Sequence, residues 1–202
     1  QHVWAAHNVP PEGKVSRELL ASQIRAQPAS THAVEELLFV SMRKLEKGFE
    51  RKFGAKLFKH QIDDGSAMQQ ISRFHCRDQA SLLRLAKEII RVFSDRLNLR
   101  ELRKLSSHAE KDKLGSNKLL QDVLAKKIGE ERARQVFCPI VGAYDLRVGD
   151  AHPTSSKIGD ALELAGIDES QSYLRQGEQL IHNVGYSVWC IGKLLFEEKG
   201  NP

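Results

Sequence analysis

The chain is poor in cysteine. Its three cysteines, Cys76, Cys138 and Cys190, stand far apart with no C-x-x-C spacing. That argues against a disulfide framework and points to a reducing, cytoplasmic setting. No apolar run approaches the roughly 20 residues that span a bilayer, so no membrane segment is expected. Nor is there a basic start followed by an apolar stretch and a small-residue cleavage site, the pattern of a secretory leader. Gln1 stands where an initiator methionine would, so a fragment or processed product is expected. Aromatics are only 6% of the residues, which argues against a single-strand stacking platform. Gly-rich phosphate loops, H-E-x-x-H and G-x-S-x-G are missing, and with them the commonest nucleotide-binding and hydrolase signatures. The eight histidines form no H-x-x-x-H pair, and His75-Cys76 alone lacks the four spaced ligands of a zinc site, so neither metal nor cofactor is expected.

Strand signals are almost absent as well, and helical periodicity is abundant. Val34, Leu37, Leu38, Met42, Leu45, Phe49 and Phe53 recur at spacings of three and four, with Thr31 as a possible cap and Gly54 as a stop. A second stripe runs through Leu82, Leu85, Ala86, Ile89, Ile90, Phe93 and Leu97, capped by Asp78 or Ser81. Shorter helices are expected over Leu99–Leu105, from Ser116 to Ile128, and around Ile158–Ala165. The stretch from Glu130 to Ala151 reads as a helix interrupted at Pro139. Residues 69–78 fit either a short strand or a link. The longest helix starts near Glu169 and carries a heptad seam, Leu174, Gly177, Ile181, Val184, Val188, Ile191 and Leu195. That seam fits packing inside a bundle or a helix shared across a homodimer. Cys190 lies on an apolar stripe and is expected to be a buried thiol. These signals predict an all-α protein, a bundle of about six or seven helices over residues 31–202, preceded by an irregular arm over 1–30.

Charge is uneven. The net charge is +5, concentrated in residues 42–60 and 96–135, whereas residues from 136 onward carry more acid than base. A basic half could meet a polyanion such as RNA. A solvated helix face is the plainer reading.

One run invites chemistry: Tyr144-Asp145-Leu146-Arg147-Val148-Gly149-Asp150-Ala151-His152-Pro153. Arginine, four residues, then histidine also occurs at Arg103–His108, and with gaps of six at Arg25–His32 and Arg175–His182, so spacing alone selects none of them. Context favours Arg147. A helical wheel sets it on the stripe of Ala133, Val136, Phe137, Ile140 and Tyr144, and a charge there needs a partner, for which Asp150 is the local candidate. His152 precedes Pro153 and should end the helix. The plain alternative is that Arg147 pairs with Asp150 and only ties helices together.

This run resembles the motif of HEPN ribonucleases, and the ending Ala165-Gly166-Ile167-Asp168 is similar to that of C-terminal helical domains in large, poorly characterised prokaryotic proteins. The resemblance implies metal-independent RNA cleavage, possible roles as a toxin or defence effector, and a composite site in which two motifs face each other across a dimer. His152 would then handle proton transfers, Arg147 would hold the phosphate, and Asp150 would orient one of them. Val148 departs from the family, where a polar residue is common. Arg103, Lys104 and His108, in a more basic setting, are candidates for RNA binding. The alternative is a non-catalytic HEPN-like adaptor that dimerises or docks on a larger protein or on the rest of a longer chain.

Overall fold

The structure is a computed structural model that describes residues 20, 24–26, 33–59, 67, 69–108, 110–149 and 155–196. The chain divides into two compact units, Gln1–His32 and Ala33–Pro202. In the first unit, the Arg25 amide donates to the Leu20 carbonyl (3.1 Å) and Ala26 takes a positive φ of 50°. The arm expected over residues 1–30 lies almost wholly outside the described residues, as does Thr31, the possible cap of the first helix.

The second unit is all-α. Its helices are α1 (Val34–Phe53), α2 (Gln79–Val92), α3 (Leu99–Leu105), α4 (Ser116–Ile128), α5 (Glu130–Gly149), α6 (Ser155–Ala165) and α7 (Tyr173–Phe196), with 3-10 turns at Arg73–His75, Ser94–Arg96 and Lys111–Lys113. Among the described residues the β-type pairing is one isolated bridge, Phe58 with Leu97, so the ambiguous residues 69–78 are a link rather than a strand.

Helix ends follow local chemistry. Gly54 ends α1 at φ 66°, where a side chain would be strained. Asp78 caps α2 by accepting from the Ser81 amide, while the Ser81 hydroxyl accepts from the Asp78 amide. The two candidate caps therefore form one capping box. α4 begins at Ser116 as expected, with Gly115 at its cap position.

α5 runs unbroken through Pro139, which removes one backbone donor without ending the helix. Its buried face shifts along its length. Ala133, Phe137 and Ile140 are buried in the first part, then Gly142, Ala143 and Leu146. The cause is a change of neighbour. The first part lies on α7, where the Ser187 hydroxyl donates to the Val136 carbonyl. Beyond Pro139 the helix packs on α6, and a Cβ on Gly142 would lie only 2.7 Å from the Ala161 carbonyl oxygen.

α7 is the longest helix, and it begins at Tyr173, four residues later than expected. Asp168 instead holds a turn, accepting from the amide and hydroxyl of Ser170 and from the Gln171 side chain. Its seam from Gly177 to Leu195 is buried within the chain, leaving only Leu174 exposed. α1 and α7 run in the same direction. Gly185 lies against Leu38, Gly192 against Leu45, and Gly48 against Phe196. The seam is thus satisfied by α1 and is not free for a second chain. Gly177 admits the Cys76 thiol rather than a partner helix. Cys190 is half-buried, not buried as expected.

Candidate functional site

Arg147 sits in the last turn of α5. It is not on the buried stripe, which passes through Ala143 and Leu146 at this level because α6 covers that side. Its side chain is 32% exposed and reaches Asp95, in the turn after α2, which is 44% exposed. One terminal nitrogen, Nη1, donates to both carboxylate oxygens, at 2.9 and 2.8 Å. Nε and Nη2 have no partner among the described residues. The partner expected from sequence, Asp150, and the expected proton carrier, His152, both lie outside the described residues.

The surface around Arg147 is partly apolar. Tyr144 and Val148, three residues before and one after, are 44% and 50% exposed. Spacings of three and four put Tyr144, Arg147 and Val148 on one side of the helix. Asp145 has no partner among the described residues, and partial burial pushes its carboxyl above the ordinary carboxylate range.

The second candidate set is tied up locally. Arg103 donates to the Asp112 carbonyl at 3.1 Å, with Nε 3.8 Å from the Asp112 carboxylate. Lys104 contacts both oxygens of Glu101 at 2.8 Å. His108 is exposed, and its Nδ1 accepts from the Glu110 amide at 3.2 Å, which places any ring proton of the neutral form on Nε2. The groove beside His108, about 380 Å³, is lined by Asp122, Glu130 and Glu131 against Lys118 and Arg134. Its mixed charge is a poorer phosphate track than the sequence run suggests. No hydrogen bond or ion pair among the described residues joins Arg147 to Arg103, Lys104 or His108. Nor is any group of three His, Cys, Asp or Glu side chains placed to hold a metal there.

Two features escaped the sequence. Asp95 is 52 positions from Arg147, and only the fold brings them together. The other is an aromatic row on α7. His182 and Tyr186 stack with ring centres 6.3 Å apart, and Tyr186 and Trp189 at 5.5 Å. Their spacing of four and then three is that of a single helix face.

No family model, curated protein or solved structure matches the chain. No helix among the described residues is long and apolar enough to cross a membrane.

Proposed function

We propose that the protein is a metal-independent endoribonuclease of the HEPN type, with a composite site formed by two copies of the chain. The observation that carries this reading is the state of Arg147. Asp95 holds the guanidinium through Nη1, and among the described residues Nε and Nη2 have no partner, beside exposed Tyr144 and Val148. A fixed guanidinium with two open donors suits a phosphate, since it loses little freedom on binding. The flanking apolar side chains supply a surface on which a second copy could seat its own α5. That surface replaces the α7 seam as the basis for a dimer.

The chemistry follows from two histidines per site. One His152 takes the proton of the ribose 2′-OH as its oxygen attacks phosphorus. The other gives a proton to the departing 5′-oxygen, leaving a 2′,3′-cyclic phosphate and a 5′-OH. Arg147 offsets charge developing on the phosphoryl oxygens, and Asp150 orients one of the two partners. In a single chain, five residues on an ideal helix leave Arg147 and His152 about 140° apart, which a second copy overcomes.

The contact of Arg147 with both Asp95 oxygens also favours a second reading. In it the pair only ties α5 to the turn after α2, and the protein is a HEPN-like adaptor without catalysis. The deciding experiment follows labelled single-stranded RNA in the presence of chelator, with light scattering on the same samples. The nuclease reading expects cleavage by a species of twice the 22.8 kDa monomer mass. Cleavage should vanish in His152→Ala and Arg147→Ala, and both cleavage and dimer should be lost in Val148→Glu. A parent protein that cuts no RNA, or His152→Ala that still cuts, removes this reading in favour of the adaptor.

A further inference from the structure

The groove between α1 and α7 lies outside the motif and is differently built. Lys44, Lys47 and Arg51 share one side of α1 at spacings of three and four. They form one wall of a groove of about 330 Å³ whose other wall is Trp189, Lys193 and Phe196 of α7. Among the described residues no carboxylate lines it. Among the described residues, neither Lys44 nor Lys47 has a carboxylate partner, and Arg51 donates only to the Lys47 carbonyl at 3.3 Å. The basic track continues past Gly48 and Arg51 to Lys52 and Lys127. Those two lysines also donate to the Leu195 carbonyl, at 3.0 and 3.2 Å, and so satisfy the end of α7.

Along the α7 wall runs the aromatic row. His182, Tyr186, Trp189 and Lys193 follow one another at spacings of four, three and four. Tyr186 is 53% exposed, and the Lys193 ammonium sits 4.9 Å from the centre of the Trp189 ring. The row is this close to the lysines because α1 and α7 are parallel and meet at Gly185 and Gly192. Small residues there bring the basic ridge and the aromatic ridge side by side.

We infer that this face binds a single strand of nucleic acid, with the phosphate chain along Lys44, Lys47 and Arg51 and the bases against the aromatic row of α7. Cations that track a backbone beside flat rings that accept any base are the two requirements of sequence-tolerant single-strand binding. A duplex would offer its phosphates but keep its bases stacked inside, leaving the aromatic row unused.

The inference does not rest on cleavage at Arg147. A deoxyoligonucleotide lacks the 2′-OH and cannot be cut by the route above, so binding and cleavage can fail separately. The test is fluorescence anisotropy with a labelled 20-nucleotide oligo-dT and the same length of oligo-U, across a salt series, on the full chain. Lys44→Glu with Lys47→Glu should weaken binding at least tenfold. Lys44→Gln with Lys47→Gln should lower the slope of log affinity against log salt by roughly 1.4, about 0.7 for each lost contact to a single strand. Tyr186→Ala should weaken binding roughly tenfold without changing that slope. A tryptophan quench on binding should persist in Trp4→Phe, which leaves Trp189 as the reporter. Lys87→Glu, on the exposed side of α2, should bind like the parent, and thermal melting separates lost binding from lost folding. Unchanged affinity in both lysine pairs overturns the inference. So does equal affinity for duplex combined with indifference to Tyr186→Ala, or capture by phosphatidylserine vesicles with no binding of either oligonucleotide.

Discussion

At the end of α5, the guanidinium of Arg147 already holds a carboxylate. Along α1, Lys44 and Lys47 hold none among the described residues. The two regions also differ in construction. Arg147 is placed by α5 lying on α6, where a backbone-to-backbone contact at Gly142 leaves no room. The α1–α7 groove is placed by two parallel helices meeting at glycines, with a ring, Phe196, lying over Gly48. One region is set by rigid backbone and carries a single half-neutralised charge. The other has a side-chain floor and two lysines, Lys44 and Lys47, with no carboxylate partner among the described residues. A motif of two residues is visible in a sequence without its counter-charge, and the counter-charge decides what the motif can still bind.

The sharpest way to break the comparison is Gly142→Ala. Its Cβ would meet the Ala165 and Ala161 backbone, which cannot swing aside. Even after the gain in helix propensity, a loss of about 2 kcal/mol is expected. Urea unfolding should read this as a lower midpoint, with oligo-dT binding by the folded fraction unchanged. A neutral result would mean that α5 and α6 are not so closely packed.

A smaller effect is expected from Arg147→Ala. The pair with Asp95 is substantially exposed on both sides, and screened pairs of this kind contribute about 1 kcal/mol or less. The melting temperature should therefore fall by only a few degrees for a chain of this size. A loss several times larger would show the guanidinium to be a buried structural tie, contrary to its exposure.

Gly48→Ala should be smaller still. Its Cβ would lie 2.8 Å from Cε2 of Phe196, but a ring near the end of α7 can rotate away. The gain in helix propensity should offset most of that strain, leaving a net change within about 0.5 kcal/mol. Displacing the ring reshapes the groove floor, so oligonucleotide affinity should change more than stability does. Melting and anisotropy on one sample compare the two directly.

The smallest perturbation touches α7 at its other end. Cys76 is buried against Gly177, and burial raises its thiol to about 11. At pH 8 the thiolate fraction is minimal, so a disulfide reagent should modify Cys138 and Cys190 and spare Cys76 in the folded protein. Rapid labelling of all three would mean that the Cys76–Gly177 contact opens readily.

Much of the fold was legible because it is written locally. Gly54 takes a positive φ where a stop was expected, Gly129 and Gly166 do so just past the expected helix ends at Ile128 and Ala165, and α3 spans the expected Leu99–Leu105. The all-α class follows from the same periodicity. What could not be read is set by neighbours. The wheel of α5 assumed one buried face, whereas the buried side turns from Ala133, Phe137 and Ile140 to Gly142, Ala143 and Leu146, where α6 packs. That single fact moves Tyr144 and Arg147 from core to surface. The α7 seam was legible as a seam, but its periodicity is indifferent to whether α1 or another chain fills it. Of the candidate site, the position of Arg147 near a helix end was readable. Its partner Asp95 was not, because the 51 residues of intervening chain carry no trace of the contact.

The parallel course of α1 and α7 has a kinetic consequence. Antiparallel neighbours joined by a short loop can zip together as they form, whereas Leu38 must find Gly185 across 147 positions. Until α7 is complete, Leu38, Met42, Leu45 and Phe49 have no final partner and remain open to solvent or to other chains. Closing so long a loop is an entropic barrier that more local helical bundles do not face. Folding should therefore be slow for an all-α protein, and a chain still lacking α7 should be the species most prone to aggregate.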